Sequence, residues 1–271
     1  MPKFTVVVPV LNQHDVTERL MASWFALAKS RLNVLFIDNG SDQPLVEQEF
    51  IGRWGEEHSV RVLRNEKNTG VYPTFQQGME ATDSEFVFFS HNDVEMLEWG
   101  WDERMSAILS LLKKPGVCGM FGAKGIGTPD IYKAPYKFTQ LMRWHCVTVR
   151  AMYEGDPNAS RILNGNYEQI AVLDGFSMIV SRRMFGEALG GRFDHERYPV
   201  HHCYDQDICL DSHFGGFKNY VIDVNCKHHG GATSTHEKWA EEMGTTDHKI
   251  HRDAHKVMYQ KFLGRLPVGV K

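Results

Sequence analysis

No stretch of this sequence approaches the roughly 18 consecutive apolar residues of a spanning helix, so any membrane association is expected to be peripheral. Basic charge is not concentrated either. Thirty Lys+Arg stand against 34 Asp+Glu for a formal charge of −4, with no basic block, so the electrostatic footprint of a dedicated nucleic-acid binder is missing. Cysteine is sparse: five residues (Cys118, Cys146, Cys203, Cys209, Cys226), odd in number and without a C-x-x-C pair, which suits reduced thiols and excludes a disulfide framework. Internal repeats and low-complexity tracts are absent. The opening MPKFTVVVPVLNQ has an apolar run too short for a signal-peptide core and reads as a buried strand.

What is present is an ordinary globular composition, 42% apolar and 24% charged over 271 residues, enough for one large domain or one domain with a tail. Phe4 to Val10 is a continuous β-branched and apolar run, the mark of a strand covered on both faces. Val16, Leu20, Trp24 and Leu27 follow at helical spacing. Further strands are expected over Asn33–Asp38, Val60–Leu63, Glu85–Ser90 and Val117–Gly122. Helices are expected from an N-cap at Ser41 toward Trp54, over Thr69–Ala81 and over Trp101–Leu112. Strands alternating with helices imply βαβ units, right-handed crossovers and a Rossmann-like, mostly parallel sheet flanked by helices. From Gly125 to Asn166 the pattern breaks into Gly, Pro and aromatic residues, a segment expected to act as a lid or acceptor loop. Regularity returns with a strand at Phe176–Val180, helices at Arg182–Leu189 and Asp207–Phe214, and a strand at Tyr220–Val224. A helical, polar tail follows from His236.

Ligands of open α/β sheets bind at the carboxyl ends of the strands, so the polar residues there draw attention. Pro9, Asn12 and Asp15 follow the first strand, Asp38-Asn39-Gly40-Ser41 the second, and His91-Asn92-Asp93 the fourth. Any one of these is also an ordinary turn, but three lie in register on one sheet edge.

VVVPVLNQ, VLFIDNGSDQ, RNEKNTGVYPTFQQGM, FFSHNDVEM, DGFSMIVSRRMF, GGRFDHERY, YDQDICL and VNCKHHGGAT occur in this order between about residues 4 and 234. Together they resemble the family-2 glycosyltransferases of GT-A fold, which are inverting enzymes. The resemblance implies a catalytic domain over residues 1–235, with a nucleotide-sugar half to about 124, an acceptor half after it, and a helical tail over 236–271. It implies that Asp38 reads a uracil- or thymine-like base, with Val10 and Asn12 lining the pocket and Asn68, Gly70 and Asn92 shaping the donor site. His91-Asn92-Asp93 stands where the family keeps D-x-D, so Asp93 is the implied metal carboxylate. A late histidine completes that site, with His229 slightly preferred to His228. The cofactor so implied is a divalent cation, Mn²⁺ or Mg²⁺. Asp205 matches the family's general base, although Tyr204 replaces the Glu usually found before it. Asp207 would point about 200° from Asp205 on a helix and so caps the helix or holds a neighbour. Asp174 and Gly175 match the acceptor-side segment. Arg182 and Arg183 read as an exposed first-turn pair, and His248, His251 and His255 as a solvated helical face.

The expected activity is transfer of a hexosyl or deoxyhexosyl group from a UDP- or dTDP-linked sugar. The acceptor is left open among glycan, glycolipid, protein and modified nucleic acid. The expected location is cytoplasmic or peripheral to a membrane. A nucleotidyltransferase acting on sugar phosphates is the rival enzyme, but no Gly-rich, basic phosphate loop follows the first strand. An inactive sugar-nucleotide binding module would keep Asp38 and lose Asp93 or Asp205, and both are present.

Overall fold

The computed structural model describes residues 3–127, 146–148, 161–163, 165–198, 202–230, 240–241 and 244–270. At its centre lie the continuous apolar runs: β1 (Phe4–Val10), β2 (Asn33–Asp38) and β4 (Phe86–Ser90). Successive residues of these strands are buried alike, as expected where both faces of a sheet are covered. With β3 (Ser59–Arg64), β6 (Pro115–Gly119), β11 (Tyr167–Ile170), β13 (Ser177–Ser181) and β14 (Lys218–Ile222), they form an eight-stranded sheet. Its order is β11-β14-β6-β13-β4-β1-β2-β3. The β1–β2, β2–β3, β1–β4 and β6–β14 pairs are parallel, whereas β13 runs against both neighbours and β11 against β14.

Seven described helices accompany the strands: α1 (His14–Leu27), α2 (Glu47–Trp54), α3 (Val71–Glu80), α4 (Trp101–Leu111), α5 (Arg182–Leu189), α6 (Tyr204–Phe214) and α7 (Asp247–Lys261). Pro73 sits in the first turn of α3, where its missing N–H has no helical partner to lose. Two fully buried tryptophans bind α1 and α4 together, their rings 5.1 Å apart. Trp24 Nε1 donates to the Val94 carbonyl at 2.8 Å and Trp101 Nε1 to the Trp24 carbonyl at 3.0 Å. The first of these bonds anchors β5 (Val94–Met96), a three-residue strand that pairs antiparallel with β15 (Cys226–His228).

Several local expectations are corrected. Ser41 caps no helix, because Pro44 disfavours helical backbone at Gln43 and α2 begins only at Glu47. The Ser41 hydroxyl instead accepts from the Asn12 N–H at 2.8 Å. The strand expected over 117–122 is two: at the buried Met120 the chain leaves β6 for β7 (Phe121–Ala123). That strand belongs to a four-stranded sheet with β9 (Cys146–Thr148), β10 (Arg161–Ile162) and β12 (Val172–Leu173). Helix α6 starts at Tyr204 rather than Asp207, which puts Asp205 in its first turn. Arg182 is not exposed; its guanidinium donates to the carbonyls of Ser84, Thr82 and Met79 at 2.7 to 3.0 Å and ties α5 to the turn before β4. The histidine stripe of α7 is not wholly solvated either. His255 is buried, His251 stacks edge-on against both His255 and His202, and burial together with those two neighbours lowers the His251 pKa to about 3. Most of the expected lid or acceptor loop lies outside the described residues, as do residues 231–239, which include the start of the tail.

Four cysteines, Cys118, Cys203, Cys209 and Cys226, are free and buried. Ala254, Met258, Tyr259 and Phe262 of the tail join the main apolar core, and β16 (Val268–Gly269) pairs with β8 (Gly125–Ile126). Lys261 closes the contact by placing Nζ 2.8 Å from Asp207 and 2.6 Å from Asp211. Asp207, fully buried, also accepts from the hydroxyls of Tyr72 at 2.8 Å and Tyr198 at 2.7 Å. Breaking a buried pair from one side leaves an uncompensated charge. Lys261→Met is therefore expected to cost about 3 to 5 kcal/mol in urea unfolding, and parental stability would contradict this role.

Candidate active site and metal centre

The antiparallel course of β13 creates the site. Because β13 runs against β4, the residues that lead into it, Asp174, Gly175 and Phe176, meet the residues that leave β4, His91, Asn92 and Asp93. The His91 N–H donates to the Phe176 carbonyl at 2.9 Å. The short β5–β15 pairing delivers a third segment, aligning His228 with Val94. Tyr204 and Asp205 arrive as the first turn of α6.

His91, Asp93 and His228 each offer one ligating atom, and these atoms lie within 4.8 Å of one another. Among the described residues no other group of three or more potential ligands clusters in this way. Asp93 is 5% exposed; His228 Nε2 approaches its Oδ1 at 3.1 Å, without the alignment of a hydrogen bond, so a buried carboxylate oxygen lacks an aligned donor. Burial opposes ionisation of Asp93, but the adjacent His228 and His91 outweigh it and hold its pKa below the ordinary value. The His228 ring stacks on Phe176 with centroids 4.8 Å apart, which fixes its plane. One carboxylate and two imidazoles suit a divalent cation, which would take further oxygen ligands to complete its coordination. His229, the preferred histidine from sequence, turns away and pairs with Glu95 at 2.8 Å; successive residues leaving a strand face opposite sides.

Asp205 and Asp174 form the second feature. Burial raises the Asp205 pKa, the Asp174 carboxylate raises it further, and backbone N–H groups of Gln206 and Gly175 only partly offset this, leaving it at about 7. Asp174 is raised too, by burial, against a backbone donor from Phe176 and the nearby His228. Asp207, two residues along α6, faces Tyr72, Tyr198 and Lys261 instead, so the two helix carboxylates do separate work. Gly175 has no room for a side chain: an added Cβ would lie 2.6 Å from Cζ of Tyr204. The space above that glycine is thus filled by Tyr204.

At the carboxyl ends of the parallel strands, the loops after β1, β2 and β3 are knitted together by Asn39, which in sequence is only one residue of a polar turn. Its Nδ2 donates to Asn68 Oδ1 at 2.9 Å and to the Gly70 carbonyl at 3.2 Å, while its Oδ1 accepts from Asn65 and Thr69. Its N–H takes the Val10 carbonyl at 2.8 Å. Gly40 permits this contact: at φ 83°, a Cβ there would sit 2.5 Å from Asn68 N. Asn12 Oδ1 accepts from the Asp42 N–H at 2.9 Å, and Asn92 donates to Thr17 at 2.9 Å rather than joining the His91–Asp93–His228 cluster.

Asp38 is fully buried. Its Oδ1 accepts from the Ser41 N–H at 2.9 Å, and its Oδ2 from the Leu45 N–H at 2.9 Å and from the Arg64 guanidinium. Burial pushes its pKa up, but these donors more than compensate and leave it below the ordinary carboxylate value. The stabilisation Asp38 gives is therefore present above that value and lost as pH falls through the lower folded value. Asp38→Ala leaves two buried N–H groups unmet. Urea denaturation near neutral pH should show a loss of about 1 to 3 kcal/mol for each, and an unchanged midpoint would contradict the assignment.

The chain resembles three solved structures. They are mannosyltransferase PcManGT from Pyrobaculum calidifontis in complex with GDP-Man and Mn²⁺ (14% identity, TM-score 0.55, 96% of this chain and 69% of that one), GalNAc-T7 with UDP, GalNAc and Mn²⁺ (14%, 0.60, 84% and 43%), and residues 1–349 of S. aureus TarS (14%, 0.54, 97% and 73%). At such identity the likeness shows the fold alone, and that fold is the GT-A fold of glycosyltransferases. The sequence model of Glycosyl transferase family 2 matches residues 5–187, well over half of the chain, and the chain belongs to that family. A Fuscovulum blasticum protein described as "ATP synthase subunits region ORF 6" is 25% identical over 158 residues, 58% of this chain and 56% of that protein. The chain thus matches about half the length of that curated relative. Among the described residues no helix is long and apolar enough to cross a membrane.

Proposed function

We propose that this chain is a divalent-metal-dependent, inverting glycosyltransferase that moves a hexosyl or deoxyhexosyl group from a nucleotide-diphosphate sugar to an acceptor hydroxyl. The observation that carries the reading is the pairing of two chemistries at one strand edge: a His91–Asp93–His228 cluster, and an Asp205 carboxyl whose pKa lies at about 7. A base poised near the working pH is best placed to take a proton in the transition state.

A cation held by His91, Asp93 and His228 would neutralise the charge that gathers on the departing diphosphate. Two imidazoles in the set favour Mn²⁺ over Mg²⁺. Asp205 accepts the proton of the acceptor hydroxyl as the new C1–O bond forms on the face opposite the breaking bond to phosphate. The nucleoside diphosphate leaves with that bond's electron pair. Asp174 supports this chemistry by keeping Asp205 basic through like-charge repulsion.

Donor preference for a uridine or thymidine diphosphate rests on Asp38, whose Oδ2 would accept the ring imide once Arg64, its one partly exposed partner, yields its place. Asn12, Asn68, Gly70 and the Val10 backbone hold the loops around that position. The acceptor class stays among glycan, glycolipid, protein and modified nucleic acid. The test is a panel of UDP-, dTDP- and GDP-linked sugars with Mn²⁺, scored by thermal shift and donor turnover. Mn²⁺-dependent turnover of UDP- or dTDP-sugars supports the reading; no turnover of any donor, with no shift in midpoint, contradicts it.

A further inference from the structure

We propose that Tyr204 is a positioning residue that fixes the ring of His91 within the metal cluster and so couples the metal ligands to the helix that carries the base. The inference rests on the metal reading above and adds a residue that the sequence marked only as a departure from the family's usual Glu.

Three observations converge on this tyrosine. Its hydroxyl lies 3.1 Å from His91 Nε2, within hydrogen-bond reach. Its ring is 6% exposed and held from the sides by Phe75, at 5.2 Å between centroids in edge-on geometry, and by Tyr72 at 6.0 Å. Its tip presses on Gly175, where an added Cβ would approach Cζ to 2.6 Å. The phenol therefore has no freedom to swing away, and its oxygen is delivered to one ring nitrogen of His91. A hydrogen bond to one nitrogen of a metal-binding histidine sets the tautomer and the orientation of the other, and losing such a partner typically costs about 10- to 100-fold in metal affinity. Tyr204 is also the first residue of α6, so the same side chain that steadies His91 begins the turn in which Asp205 stands.

Glycine at 175 has a matching reason. The Tyr204 hydroxyl occupies the volume a side chain would need, so Gly175→Ala should displace the phenol from the opposite side and reproduce the loss of the hydroxyl. A substitution at each end of the contact separates loss of the bond from loss of the ring.

The experiment is Mn²⁺ titration by calorimetry in the presence of UDP for the parent, Tyr204→Phe and Gly175→Ala, with thermal unfolding and ¹⁵N histidine spectra of each. Tyr204→Phe should bind Mn²⁺ about 10-fold or more weakly than the parent, with the His91 tautomer changed. Its unfolding midpoint should stay close to the parent's, and Gly175→Ala should weaken Mn²⁺ in the same direction. A parent that bound no Mn²⁺ would overturn the metal reading and this inference with it. Parental Mn²⁺ affinity in Tyr204→Phe, alongside Mn²⁺ binding by the parent, would overturn this inference alone.

Discussion

Asp205→Asn is expected to turn over about 10² to 10⁴ times more slowly than the parent, because it keeps the shape of the side chain and removes the proton acceptor. Donor affinity should barely change, since the carboxylate lies with Asp174 and the first turn of α6 rather than with the loops after β1, β2 and β3. The parent's pH dependence gives a second reading of the same group. Burial and Asp174 raise the Asp205 pKa to about 7, so the ionised, competent form is depleted as pH falls. Turnover should drop close to tenfold per unit below about pH 6 and level off above about pH 8, and the Asn variant should lose this limb. Near-parental turnover in Asp205→Asn would remove it from the mechanism.

Asp93→Ala is expected to abolish the metal-dependent part of nucleoside-diphosphate binding, a loss of at least about 100-fold, since removing even an outer partner of a ligand costs about 10- to 100-fold. The fold should survive. No aligned hydrogen bond ends on Asp93 Oδ1, and the β5–β15 pairing beside it is made by backbone. Calorimetry of UDP with and without Mn²⁺ reads the effect directly; Mn²⁺-dependent affinity equal to the parent's would contradict the assignment of this carboxylate.

The parallel half of the fold is legible because a strand buried on both faces reads as a near-continuous apolar run, and β1, β2 and β4 are apolar along most of their length. The same apolar runs locate the carboxyl ends of these strands, where Asp38 and Asp93 stand. What escaped was whatever depended on pairing at a distance. A three-residue strand such as β5 carries no periodicity, yet its pairing with β15 decides that His228, not His229, stands beside Asp93. The direction of β13 is equally silent in sequence, and only that direction brings Asp174 and Gly175 to His91. Asn39 looked like one more turn residue, and its cross-loop bonds to Asn65, Asn68 and Thr69 appear only in three dimensions. The separation of Asp205 from Asp207 was different: helical geometry alone dictates it, and the two carboxylates do face different partners.

The most direct test of the account needs no knowledge of the acceptor. With water as the acceptor, an α-linked UDP-sugar and Mn²⁺, early ¹H NMR spectra record the anomer released before mutarotation. Single displacement with Asp205 as base predicts the β-anomer first, at a rate that collapses in Asp205→Asn. Initial release of the α-anomer, or release that persists in the variant, would contradict it.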